Sequence, residues 1–124
     1  EIKKTLKKRP NITKIFIVSE DSSYINQISS EFDKSYFVPD VFRRTDESQD
    51  YVEKIHHWCN ISQKRENHTR LLGEEVIIQT KLLAKCNYLL GRHSGIFCGA
   101  ILWNQNIEEV FTIDKGTHSL DLLK

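Results

Sequence analysis

Between Gly91 and Ala100 the chain reads GRHSGIFCGA, with the apolar run NYLL before it and ILWN after it. Arg92, His93, Ser94 and Gly95 are polar or small residues placed where a buried strand gives way to a buried helix. The first N–H groups of a helix have no internal acceptor, so such a junction can hold an anion. Ser94 can cap the helix, Gly95 allows a backbone approach, and Arg92 and His93 can add donors or positive charge. The chemistry that fits is recognition of a phosphate or diphosphate. Gly95 and Gly99, four residues apart, serve a second reading equally well, in which they let the helix pack closely on the sheet.

A second candidate lies after the first apolar run, at Ser19-Glu20-Asp21. Glu20 and Asp21 can accept hydrogen bonds from a ribose or a base edge. Asp21 can instead cap the helix that follows. Both readings stay open on the residues alone.

These two turns need elements to position them, and the pattern supplies an alternation. Residues 1–9 read as the end of a helix, and Ile15-Phe16-Ile17-Val18 as a short strand covered on both faces. A helix from about Ser22 to Phe32 follows, capped by Ser22 or Ser23, with Tyr24, Ile25, Ile28 and Phe32 on one side. Tyr36-Phe37-Val38 is a second strand, closed by Pro39. From Asp40 to about Leu72 the apolar period fades into a long polar loop with one short helix near Tyr51 to Trp58. Gly73-Glu74-Glu75 opens a helix that runs through Lys85, with acids early and lysines late. Asn87 to Leu90 is the third strand, Ser94 to Trp103 a helix, and Glu109 to Ile113 the fourth strand. Strand and helix alternating with short connections predict an α/β fold, a three-layer Rossmann-like domain with a mostly parallel sheet of about four strands. Ligands of such sheets bind beyond the carboxyl ends of the strands, which is where both turns fall.

Composition narrows the function classes. The chain has 124 residues, 39% hydrophobic and 28% charged, with a formal net charge of +1. That length suits one domain, and residues 1–124 are read as a single Rossmann-like unit. The near-balanced charge disfavours nucleic acid, because the basic start EIKKTLKKRP reads as a solvated helix face. No apolar run is long enough for a membrane span. The chain carries no methionine and starts at Glu1, which suggests a piece of a larger protein. Cys59, Cys86 and Cys98 lack C-x-x-C spacing and read as reduced, mostly buried thiols rather than a disulfide framework or zinc site. His56, His57, Cys59 and His68 match no familiar metal spacing, so no metal is expected. Asn11, Asn60 and Asn67 each begin an N-x-[ST] pattern, which leaves the secretory-pathway lumen and a bacterial cytoplasm both open.

The order IFIVSEDSSYI, a polar loop, then GEEVIIQTKLLAKCNYLLGRHSGIFCGAILWN resembles the donor-binding, C-terminal half of GT-B glycosyltransferases of the fucosyltransferase type. The likeness is nearest to the α1,6-fucosyltransferases and their bacterial nodulation relatives, and covers residues 12–114. It implies a nucleotide-sugar donor, GDP-fucose, as substrate without a metal cofactor, and a glycan or protein acceptor. It also implies an N-terminal half of the same enzyme, so that this chain alone does not transfer sugar. Carried over, Ser19-Glu20-Asp21 stands where the family has a Thr-Asp-Asp motif that meets the nucleotide. Ser94 falls on the diphosphate-binding serine, with His93 and Gly95 beside it. Gln79 and Asn87 stand where relatives carry aspartates. Arg43-Arg44-Thr45-Asp46 matches a phosphate-gripping signature in letters, but the family has that signature before the first strand and here it comes after. The reading of different class is a stand-alone, non-catalytic Rossmann-like module for a nucleotide or a protein partner.

Overall fold

The computed structural model describes residues 1–43 and 65–113. They divide into two compact units. One is formed by Glu1–Pro10 with the chain from Thr80 onward, the other by Asn11–Gln79. Each is a parallel strand pair joined through a helix, so the molecule is of mixed helix and strand with two small parallel sheets.

In the second of these units β1 (Ile15–Phe16) pairs parallel with β2 (Ser35–Tyr36), Ile15 against Ser35 and Phe16 against Tyr36. The ladder runs on at both ends, through the Ile15 N–H to the Lys34 carbonyl at 2.9 Å and the Ile17 N–H to the Tyr36 carbonyl at 2.8 Å. Parallel neighbours need a crossover of about a dozen residues or more. Helix α2 (Ser22–Glu31) provides it. Asp21, rather than Ser22 or Ser23, is its N-cap. Ile25 and Ile17 are buried, but Tyr24 is 58% exposed, so the inward stripe of α2 is narrower than its apolar spacing suggested.

In the other unit β3 (Tyr88–Gly91) pairs parallel with β4 (Glu109–Thr112), in register from Tyr88–Glu109 to Gly91–Thr112. Helix α4 (Gly95–Trp103) is the crossover. Leu89, Phe97 and Ala100 form the core, with Leu83, Cys86, Ile101 and Ile107 packed against it. Asn104 closes α4 and is itself buried. Its amide donates to the Cys86 carbonyl at 2.7 Å and its oxygen accepts from the Asn106 N–H at 2.8 Å. Helix α1 (Ile2–Lys8) belongs to the same unit. Arg9, just past its end, pairs with Glu109 of β4 at 2.6 Å.

Helix α3 (His68–Leu83) starts five residues ahead of the expected Gly73. The polar letters NHTR disguised its first turn. Asn67 takes a left-handed backbone, φ 55°, which asparagine tolerates better than most residues. The chain then closes the Leu71 N–H on the Asn67 carbonyl at 3.0 Å. Gly73, Glu74 and Glu75 therefore sit in the helix interior. Polar His68, Gln79 and Thr80 are buried, while Val76, Ile77, Ile78 and Leu82 are exposed. Among the described residues no helix is long and apolar enough to cross a membrane. The short helix expected at Tyr51 to Trp58 lies outside the described residues.

Candidate functional site

Beyond β3 the chain must turn from a buried strand into a helix that packs on it. Gly91 makes that turn sterically possible. A Cβ there would stand 2.9 Å from Cδ2 and 3.0 Å from Cε2 of Phe97, the buried ring of the next helix. Arg92, His93, Ser94 and Gly95 follow as four consecutive exposed residues. Ser94 is extended, with φ −142° and ψ 163°, and its hydroxyl oxygen accepts from the Phe97 N–H at 3.2 Å. The Ser94 carbonyl accepts from the Cys98 N–H at 2.9 Å and so begins the helical ladder. The amides of Gly95 and Ile96, earlier in that first turn, have no acceptor within the helix by construction. The positive end of the helix dipole adds to their pull on an anion. The His93 ring stands edge-on to Phe97, centroids 6.4 Å apart.

The two glycines of this helix separate cleanly. A Cβ on Gly95 would meet nothing within 4 Å, whereas one on Gly99 would stand 3.1 Å from Cγ2 of Thr80. Packing thus accounts for Gly99 and not for Gly95. The space over Gly95 is open at the level of the first-turn amides.

The turn beyond β1 is built on the same plan. The Ser19 hydroxyl accepts from the Asp21 N–H at 3.1 Å, and Asp21 Oδ1 accepts from the Ser23 N–H at 2.8 Å. Asp21 is therefore a helix cap, and one of its carboxylate oxygens is occupied in that duty. Glu20 is exposed beside it. Glu20 and Asp21 lie in one unit and Arg92, His93, Ser94 and Gly95 in the other.

Arg43 has a structural occupation. Its guanidinium donates to the carbonyl oxygens of Val38 at 2.7 Å, Val41 at 3.3 Å and Pro39 at 3.4 Å, and lies over the Phe37 ring. Burial lowers its pKa, and the nearby Glu75 carboxylate opposes that shift. Arg44, Thr45 and Asp46 lie outside the described residues.

A cluster that sequence reading did not foresee surrounds Glu75. Arg65 donates to both its oxygens, at 2.7 and 3.4 Å, and the Phe42 N–H donates to Oε2 at 3.3 Å. Arg65 Nε also donates to Nδ1 of buried His68 at 3.2 Å. Phe42 meets the His68 ring edge-on at 4.9 Å and lies under the Arg65 guanidinium. The signal was the spacing of His68 and Glu75, two helical turns apart, hidden because the helix was expected to begin later. His68 is thus held by Arg65 and Phe42, and His56, His57 and Cys59 lie outside the described residues. Among the described residues no group of three His, Cys, Asp or Glu could hold a metal ion.

The cysteines differ from one another. Cys86 is half-buried and Cys98 exposed, both free, so the expectation of mostly buried thiols fails at Cys98. Asn11 and Asn67 of the N-x-[ST] patterns are exposed, and Asn60 lies outside the described residues. A hollow of about 340 Å³ lined by Lys81, Ala84, Lys85 and Trp103 marks the opposite end of α4 from Ser94. Comparison of the chain with protein-family models, with curated proteins and with solved structures found no match.

Proposed function

We propose that the chain is the nucleotide-sugar-binding half of a glycosyltransferase of the fucosyltransferase type, with GDP-fucose as donor and a glycan or protein as acceptor. The observation that carries the reading is the turn from Gly91 to Gly95. A strand of a parallel pair ends there, Ser94 caps the next helix, and the space over Gly95 is open where the first-turn amides are presented. In this reading those amides and Ser94 hold the diphosphate, with Arg92 and His93 adding donors. Glu20 and Asp21 take the nucleoside. The fold in this reading is a three-layer Rossmann-like domain with a mostly parallel sheet of about four strands. Catalysis consists of positioning the donor and stabilising the leaving diphosphate, with the rest of the enzyme supplied by an N-terminal half.

Calorimetric titration with GDP, GDP-fucose, UDP and ADP tests the reading. Binding of the guanine nucleotides that disappears in Gly95→Val, with the melting temperature retained, supports it. No heat with any of the four at millimolar concentration overturns it. Transfer or hydrolysis of GDP-fucose by the 124-residue chain alone would overturn the half-enzyme part.

The capping duty of Asp21 favours a second reading. With one oxygen committed to Ser23, the turn beyond β1 is accounted for without a nucleoside, as in a non-catalytic module that binds only a phosphate group or a protein partner. Inorganic diphosphate binding as tightly as GDP would favour that reading.

A further inference from the structure

Helix α3 is amphipathic in the unusual sense, with polar His68, Gln79 and Thr80 inside and aliphatic side chains outside. Glu74, Ile77, Ile78 and Lys81 are all exposed, the two isoleucines by 50% each. Their spacing of three, four and seven residues places them on one stripe of the helix. The stripe is apolar at its centre, with Glu74 on one side of the isoleucines and Lys81 on the other, and with Arg70 one turn beyond Glu74. Val76 and Leu82 widen the apolar area, and a Cβ on Gly73 would meet nothing within 4 Å.

We propose that this stripe is an interface between two copies of the chain, with the two α3 helices packed antiparallel about a two-fold axis at Ile77 and Ile78. A two-fold interface brings the same patch together from both subunits, so the patch must complement itself. The antiparallel arrangement achieves this. Each Glu74 faces the partner's Lys81, the isoleucines meet at the centre, and Gly73 leaves room for the opposing lysine stem. A parallel arrangement would set Glu74 against Glu74 and Lys81 against Lys81, which repel. Charge order along the helix therefore selects both the occupant and its direction. Arg70 forms an ion pair with Glu74 at 3.7 Å on the same helix, and the Glu74 side chain stays 53% exposed beside it. The inference is independent of the nucleotide reading.

Sedimentation velocity of the 124-residue chain over a wide dilution series is the test, with circular dichroism to check that each variant folds. The wild type dimerises, and Ile77→Glu is monomeric. Glu74→Lys and Lys81→Glu each raise the dissociation constant by about tenfold or more, since each creates two like-charge pairs across the axis. The double variant Glu74→Lys with Lys81→Glu returns it to near the wild-type value. A wild type that stays monomeric at every concentration overturns the proposal, as does a dimer indifferent to Ile77→Glu. Singles that weaken the dimer without recovery in the double variant overturn the antiparallel register.

Discussion

The ring of Phe97 lies against the backbone of Gly91, so close that a Cβ on residue 91 would stand 2.9 Å from Cδ2. Phe97 is 6% exposed and belongs to the core with Leu89 and Ala100, so the ring has nowhere inexpensive to go. Gly91→Ala is expected to destabilise the fold by about 1–3 kcal/mol, the ordinary range for overpacking. Urea unfolding measures it. A loss under about 0.5 kcal/mol, typical of a harmless surface change, would show that Phe97 yields.

Gly73 makes the opposite case. It is exposed in the interior of α3, and a Cβ there has no neighbour within 4 Å. Glycine in a helix interior is less favourable than alanine by about 0.5–1 kcal/mol, because its backbone loses more freedom on folding. Gly73→Ala should therefore stabilise the protein by that amount and raise its melting temperature by a few degrees. A lower melting temperature would mean that residue 73 needs glycine for a reason other than local helix energetics.

The two glycines mark how far the sequence could be read. The crossover between β3 and β4 was legible because GRHSGIFCGA combines a cap, a glycine and a helical apolar run, and Ser94 does cap α4. Strands β1, β3 and β4 and the parallel pairing were legible from short apolar and aromatic runs separated by helices, whereas β2 lies at Ser35–Tyr36 and overlaps the expected Tyr36-Phe37-Val38 at Tyr36 alone. The start of α3 was not legible, since its buried face carries His68 and Gln79 while its exposed face carries Ile77 and Ile78. Apolar periodicity points the wrong way there. Nor could spacing alone decide between Ser22, Ser23 and Asp21 as the cap of α2, because all three side chains can accept the same hydrogen bond. The extended backbone of Asp21, at φ −114° and ψ 123°, and the Ser23 N–H that its side chain accepts distinguish it.

Burial pushes the Cys86 thiol pKa above its ordinary 9.0, whereas Cys98 is exposed. Near neutral pH a maleimide or iodoacetamide should modify Cys98 well before Cys86, as peptide mapping would show. The raised value also has a consequence for stability. The folded state holds the proton more tightly than the unfolded one, so the benefit is complete below the unfolded value and is lost as pH rises through the folded one. Stability should thus fall in alkali above about pH 9, and Cys86→Ala should flatten that fall. Equal labelling rates, or an unchanged alkaline slope in the variant, would contradict the burial of Cys86.

Asp21 carries two assignments, and they can be separated by chemistry. As a cap, its Oδ1 accepts from the Ser23 N–H at 2.8 Å, a duty that serine performs about as well as aspartate. As a nucleoside contact, it would use the charge and the second oxygen, which serine lacks. Asp21→Ala should cost about 1 kcal/mol of stability through loss of the cap, whatever the ligand. Asp21→Ser keeps the cap and should leave the urea midpoint within experimental error of the wild type. If the carboxylate meets the ribose or base, Asp21→Ser should nevertheless weaken GDP binding by about tenfold, the loss of one charged hydrogen bond, while inorganic diphosphate binds as before. Unchanged GDP affinity in Asp21→Ser would confine Asp21 to holding the first turn of α2 and remove it from the nucleotide site.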